Sequence, residues 1–223
     1  MEKRLKFSRI SKFKYIFVIL LLFAFILLSA YSYVTAVSSD LSKNLFRLHV
    51  IANSNSKEDQ DLKYLVRDSV LDYVNSISKE NGITSKQELI SLVEQNKDNI
   101  KKVAEDTIQK NGFDYNVNIS IGNFSFPDKV YGDITLPAGF YDALKIEIGA
   151  AAGQNWWCVM FPPLCFVDVS SGIVPEDSKE TLQNNLSSDE DYNLLSTNSP
   201  TDLKLKFKII ELFHDMNFAT AKQ

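Results

Sequence analysis

Leu45-Phe46-Arg47-Leu48-His49-Val50-Ile51-Ala52-Asn53-Ser54-Asn55-Ser56 is the stretch on which the fold turns. Its first seven residues are apolar around Arg47 and His49, the pattern of a buried strand. Asn53 to Ser56 then breaks the run with turn-forming side chains. Ser56, with Asp59 three residues later, starts a helix in the manner of a capping box. Leu62, Leu65, Val66, Val70, Tyr73, Val74 and Ile77 follow at spacings of three and four, one apolar stripe of an amphipathic helix. Asn81-Gly82 supplies its stop.

Outward from that unit the pattern repeats and then changes period. Ser85 and Glu88 form a second capping box, and Leu89, Leu92, Val93, Ile100, Val103, Ala104 and Ile108 mark a second long helix ending at Asn111-Gly112. Tyr115, Val117, Ile119 and Ile121 then alternate with polar residues, as in a half-buried strand. Val130–Leu136 and Tyr141–Ile148 read as two further strands around a Pro137-Ala138-Gly139 turn. Asn155–Val167 is aromatic and β-branched, but Pro162-Pro163 must interrupt any ladder there. Residues 170–200 are rich in Ser, Asn, Asp and Glu and read as a mobile polar loop, with one short helix near Lys179–Leu186. Leu203 to Phe213 reads as a strand running into a helix. Strand, two helices, then strands implies an α+β fold: two long amphipathic helices on one face of a mainly antiparallel sheet.

The N-terminus carries a different message. Lys3, Arg4, Lys6, Arg9, Lys12 and Lys14 precede an uncharged apolar run from Tyr15, and Val34-Thr35-Ala36 offers a cleavage site. Residues 1–36 therefore read as a signal peptide or a membrane anchor, and 37–223 as a single extracytoplasmic domain. The basic flank stays inside in either case, so the domain is exported, and it meets a membrane only through its N-terminal segment. Removing residues 1–36 takes six of the 24 basic residues and one of the 28 acidic ones, so net charge moves from −4 to −9. Such a chain is a poor partner for nucleic acid, which demands positive charge.

Catalytic chemistry is hard to place. There are two histidines, His49 and His214. His49 reads most simply as a structural imidazole on its strand. Cys158 and Cys165 are too far apart in sequence for a zinc knuckle, so no metal and no cofactor is expected. Export permits a disulfide between them; two buried thiols are the other reading. No nucleophile elbow, P-loop or metalloprotease motif is present. What remains is recognition: Trp156, Trp157, Phe161, Pro162, Pro163 and Leu164 fall within ten residues, and aromatics dominate interface hot spots. Adjacent strand residues face opposite ways, so the two Trp cannot share one face.

These residues also carry a resemblance. Arg47-Leu48-His49-Val50-Ile51-Ala52-Asn53-Ser54, Asp59-Gln60, Leu62-Lys63 and Val66-Arg67-Asp68 resemble the signature of the stage II sporulation protein R family. So do Leu136-Pro137-Ala138-Gly139, Tyr141, Ala143-Leu144, Asn155-Trp156-Trp157-Cys158-Val159 and Phe161-Pro162-Pro163-Leu164-Cys165-Phe166. Together they cover most of residues 45–168. Asn55 departs from the Asp common in the family, though either side chain can turn or cap.

The resemblance implies a protein made in the forespore of an endospore-forming bacterium and exported into the space between forespore and mother cell. There it would activate a membrane-embedded aspartic protease of the mother cell, which cleaves a sigma-factor precursor. On this reading the chain is no enzyme itself. The aromatic-proline segment is expected to form the partner contact, and Arg47, His49, Asn53, Ser54, Asp59, Gln60, Arg67 and Asp68 to be mainly structural. An exported hydrolase and an anchored envelope protein are the rival classes.

Overall fold

The computed structural model describes residues 14–29, 32, 42–132, 134–164, 176–185, 192 and 195. The chain divides into two units, Met1–Ser39 and Asp40–Gln223. In the first, residues 14–29 form helix α1, whose large apolar side chains are exposed, Phe17 at 62% and Leu28 at 67% among them. Among the described residues no helix is long and apolar enough to cross a membrane. The Ala36 cleavage site, Cys165, His214 and the C-terminal strand-and-helix lie outside the described residues, as does most of the 170–200 loop.

In the second unit the opening strand is β1 (Phe46–Ile51). Helix α2 (Lys57–Glu80) follows, capped by Ser56, whose hydroxyl accepts the Asp59 amide. The second long helix anticipated from the sequence is two: α3 (Lys86–Gln95), with the full Ser85–Glu88 capping box, and α4 (Lys97–Lys110). Asn96 divides them. It falls on the buried stripe between Val93 and Ile100, where its amide donates to the Leu92 carbonyl at 2.9 Å instead of packing. Such back-bonding is how Asn competes with helix continuation.

Strands β2 (Val117–Phe126), β3 (Lys129–Tyr131), β4 (Ile134–Leu136), β5 (Gly139–Ile148) and β6 (Asn155–Phe161) complete the sheets. The expected single strand Val130–Leu136 is instead the β3–β4 hairpin. A short helix, α5 (Glu176–Asn185), stands where one was expected.

The main sheet runs β2-β5-β1-β6. It is mixed, with most pairings antiparallel as expected: β1 pairs parallel with β5, while β6 and β2 run antiparallel to their neighbours. Parallel neighbours need a long crossover, and α2 through β4 supply it.

Register assigns the faces. Leu48 lies opposite Leu144 and Cys158, Val50 opposite Ile146 and Trp156, and Ile119 opposite Ile146. These residues join Leu62, Val66, Val70, Leu89, Val93, Ile100, Ala104 and Ile108 of the helices in one core. The other face carries Arg47, His49, Lys145, Glu147, Asn155 and Trp157.

Candidate functional site

The chain after β1 is tied into a knot. Asp59, in the first turn of α2, accepts from Ser54 Oγ at 2.5 Å and Asn53 Nδ2 at 2.8 Å on one carboxylate oxygen. Burial pushes its carboxyl up, but hydrogen bonds from Ser54, Asn53, Tyr115 and Ser56 outweigh that and hold its pKa below the usual carboxylate value. Asn53 Oδ1 in turn accepts the Ala150 amide at 2.9 Å, and Gln60 Nε2 donates to the Ser54 carbonyl at 2.8 Å. The β5–β6 loop closes against this turn through Ala152 N to Asn53 O and Gly153 N to Ala52 O. Two positions of that loop have no room for a side chain. A methyl at Gly149, which sits at φ +55°, would overlap the Asn53 amide, and one at Gly153 would overlap the Ser54 carbonyl. Asn53, Ser54, Asp59 and Gln60 thus join strand, helix and loop.

Arg47 is fully buried on the second face. Its guanidinium carbon lies 4.1 Å from the centre of the Phe126 ring and 4.8 Å from that of Tyr141. Nη2 donates to Tyr131 Oη at 2.8 Å, and Nη1 has no partner. The aromatic faces supply much of the negative potential this cation needs.

Two residues along, His49 stacks on Trp157 with ring centres 3.7 Å apart and meets the edge of Phe126. Its Nε2–H donates to Asn155 Oδ1 at 2.8 Å. Burial above all lowers its pKa to about 4, against the opposing Asn155 hydrogen bond and with help from the Lys145 charge. The imidazole is therefore neutral at neutral pH. Beside it, Lys145 pairs with Glu147 at 2.9 Å, and Asn118 donates to the same carboxylate.

The two Trp diverge as alternation requires. Trp157 is half-buried on the His49 face, while Trp156 turns toward α2 and meets Tyr64 edge to face at 5.3 Å. Arg67 lies over the Trp156 ring at 4.5 Å and donates from Nε to Asp68 at 2.7 Å. The aromatic-proline segment does not form one exposed patch: Phe161, Pro162 and Leu164 are buried and only Pro163 is exposed. The Phe161–Pro162 peptide is cis. Phe161 and Pro163 line a largely apolar cleft of about 450 Å³ with Leu71, Val74, Ile83 and Met160. Cys158 is buried in the core and disulfide-bonded.

Tyr131, Phe126, Lys145 and Glu147 join these sites without having been singled out from the sequence; Lys63, quoted there only within the family signature, is 1% exposed and bonded to Gln60 and the Gln154 carbonyl. Lys63 lies four residues after Asp59 and four before Arg67, the helical spacing that places all three on one side of α2. Among the described residues, no group of three or more His, Cys, Asp or Glu could hold a metal ion.

Fold and site together define an α+β domain in which a motif-built knot joins strand, helix and loop beside an aromatic and polar sheet face. The chain belongs to the stage II sporulation protein R family, whose model matches residues 42–171. It is 39% identical over 134 residues to stage II sporulation protein R of Bacillus subtilis (strain 168), a match covering 60% of this chain and 59% of that protein. The chain thus spans about three-fifths of the relative's length. No solved structure matches. It is a sporulation protein by family.

Proposed function

We propose that this chain is an exported intercellular signal of endospore formation. Released or anchored by residues 1–36, it would act in the space between forespore and mother cell. There it would activate a membrane-embedded aspartic protease of the mother cell, which then matures a sigma-factor precursor. Family membership supports the setting. The structural observation that carries the reading is the presentation of Trp157. The indole is half-buried on the sheet face that the α2–α4 core does not use, with His49 stacked on it, Phe126 at its edge and exposed Asn155 nearby. A supported aromatic loses little entropy on binding, and an activator needs only to bind the active state of its target better than the inactive one.

The test is complementation. The chain is expressed in the forespore of a sporulating strain lacking its own family member, with the cognate protease supplied, and precursor cleavage is followed by immunoblot. Restored cleavage is expected. Trp157→Ala and Pro163→Ala, in chains shown to be exported and folded, should reduce it at least tenfold. Full cleavage with both would move the contact elsewhere, and no cleavage with the unaltered chain would reject the signalling role.

A further inference from the structure

Arg67 is held unlike an ordinary surface cation. Its guanidinium carbon lies 4.5 Å from the centre of the Trp156 ring and 5.0 Å from that of Tyr64. Those two rings meet at 88°, so the flat group rests in an aromatic corner between α2 and β6. Nε–H is taken by Asp68. No further hydrogen bond joins Arg67 to a described residue, which leaves the N–H groups of both η nitrogens to spare. The side chain is 17% exposed: its body is covered and its outer edge reaches solvent.

Lys63 lies one turn earlier on α2, with its ammonium 4.6 Å from the centre of the same Tyr64 ring. Its hydrogen-bond acceptors, Gln60 Oε1 at 2.6 Å and Gln154 O at 3.3 Å, are both neutral. Burial and then the charge of Arg67 lower its pKa, as two cations with too little negative charge between them must do. Asp68, the carboxylate paired with Arg67, is 56% exposed and meets it through a single nitrogen. Trp156 Nε1–H is buried beside them without a partner. Arg67 and Lys63 thus bring two positive charges to one Tyr64 ring on a chain whose net charge is −4.

We propose that Arg67, oriented by Tyr64 and Trp156 and backed by Lys63, is the receptor for a carboxylate of the protein partner, an Asp or Glu side chain taken by its free η nitrogens. Guanidinium and carboxylate match as paired forks, and a planar cation already fixed on aromatic faces surrenders little freedom on binding. Arg, Trp and Tyr are also the residues that dominate interface hot spots. The identity of the partner rests on the signalling reading above; the carboxylate chemistry does not.

The deciding experiment uses the full chain carrying Trp157→Phe, which leaves Trp156 as its one indole, since the chain has two Trp. Trp156 emission is titrated at constant ionic strength with a capped tripeptide bearing a central glutamate, with its glutamine counterpart, and with inorganic phosphate. The glutamate peptide should give a saturable change and the glutamine peptide none. Arg67→Gln should weaken the response at least tenfold. Equal responses to both peptides, or an unchanged response in Arg67→Gln, would overturn the assignment; tighter binding of phosphate would overturn it in favour of a phosphate-type anion. If Arg67→Gln fails to fold, Arg67→Lys answers instead, because it keeps the charge and loses the planar fork; unchanged affinity there overturns the proposal. In the sporulation assay Arg67→Gln should cut restored cleavage at least tenfold. An unaltered chain that restores no cleavage counts against the signalling role alone and leaves the titration to decide the receptor.

Discussion

At the scale of single residues, His49 shows how burial sets chemistry. Its pKa is about 4 in the folded chain, against an ordinary 6.5. Between those values the unfolded chain binds the extra proton, so stability rises with pH across pH 4 to 6.5 and falls as the solution is acidified through that window. Discounted for solvent screening, the effect is on the order of 1–2 kcal/mol. Denaturant midpoints should therefore drop from pH 7 to pH 4, and His49→Gln should flatten the part of that slope due to the imidazole. An unaltered slope in His49→Gln would assign the acid sensitivity to the carboxylates. Asp59 acts in a separate, lower window: its depressed pKa contributes stability that is present above the ordinary value of 3.8 and lost as pH falls through the folded value. The apolar setting of His49 was legible from its strand neighbours. Its stack on Trp157 was not, because that depends on which strand lies beside β1.

At the scale of elements, the helices were written locally. Ser85 and Glu88 make the reciprocal cap that their spacing announces: Ser85 Oγ accepts the Glu88 amide, and the Glu88 carboxylate accepts the Ser85 and Thr84 amides. Ser85→Ala should lower stability by about 1 kcal/mol, measured by denaturant unfolding; a loss below about 0.3 kcal/mol would mean that α3 is held by packing alone. The interruption at Asn96 was less legible, since the apolar stripe keeps its phase through Val93 and Ile100 and only the hydrogen bond from the Asn96 amide to the Leu92 carbonyl records the break. Pairing was not legible at all. The β1 pattern is equally compatible with parallel and antiparallel neighbours, and β1 has one of each.

At the scale of the whole molecule, the proposed function assigns export and folding to separate parts of the chain. Residues 1–36 read as the export segment. In sporulating cells the released protein is expected to begin at Val37, as intact mass spectrometry would show; a full-length species confined to the membrane fraction would assign the segment as an anchor. The sequence alone determined what is encoded at short range. It specified the starts of α2 and α3, the order of most elements, the opposite facing of Trp156 and Trp157, the excess of negative charge and the family motifs. Each depends on spacings of a few residues or on composition. Only the tertiary structure decided the parallel β1–β5 pairing, the burial of Phe161, Pro162 and Leu164, the enclosure of Arg47 by Phe126 and Tyr141, and the corner in which Tyr64 and Trp156 hold Arg67. The physical reason is common to all four. Each joins residues far apart in the chain, and no local pattern records which distant surface a buried side chain will meet.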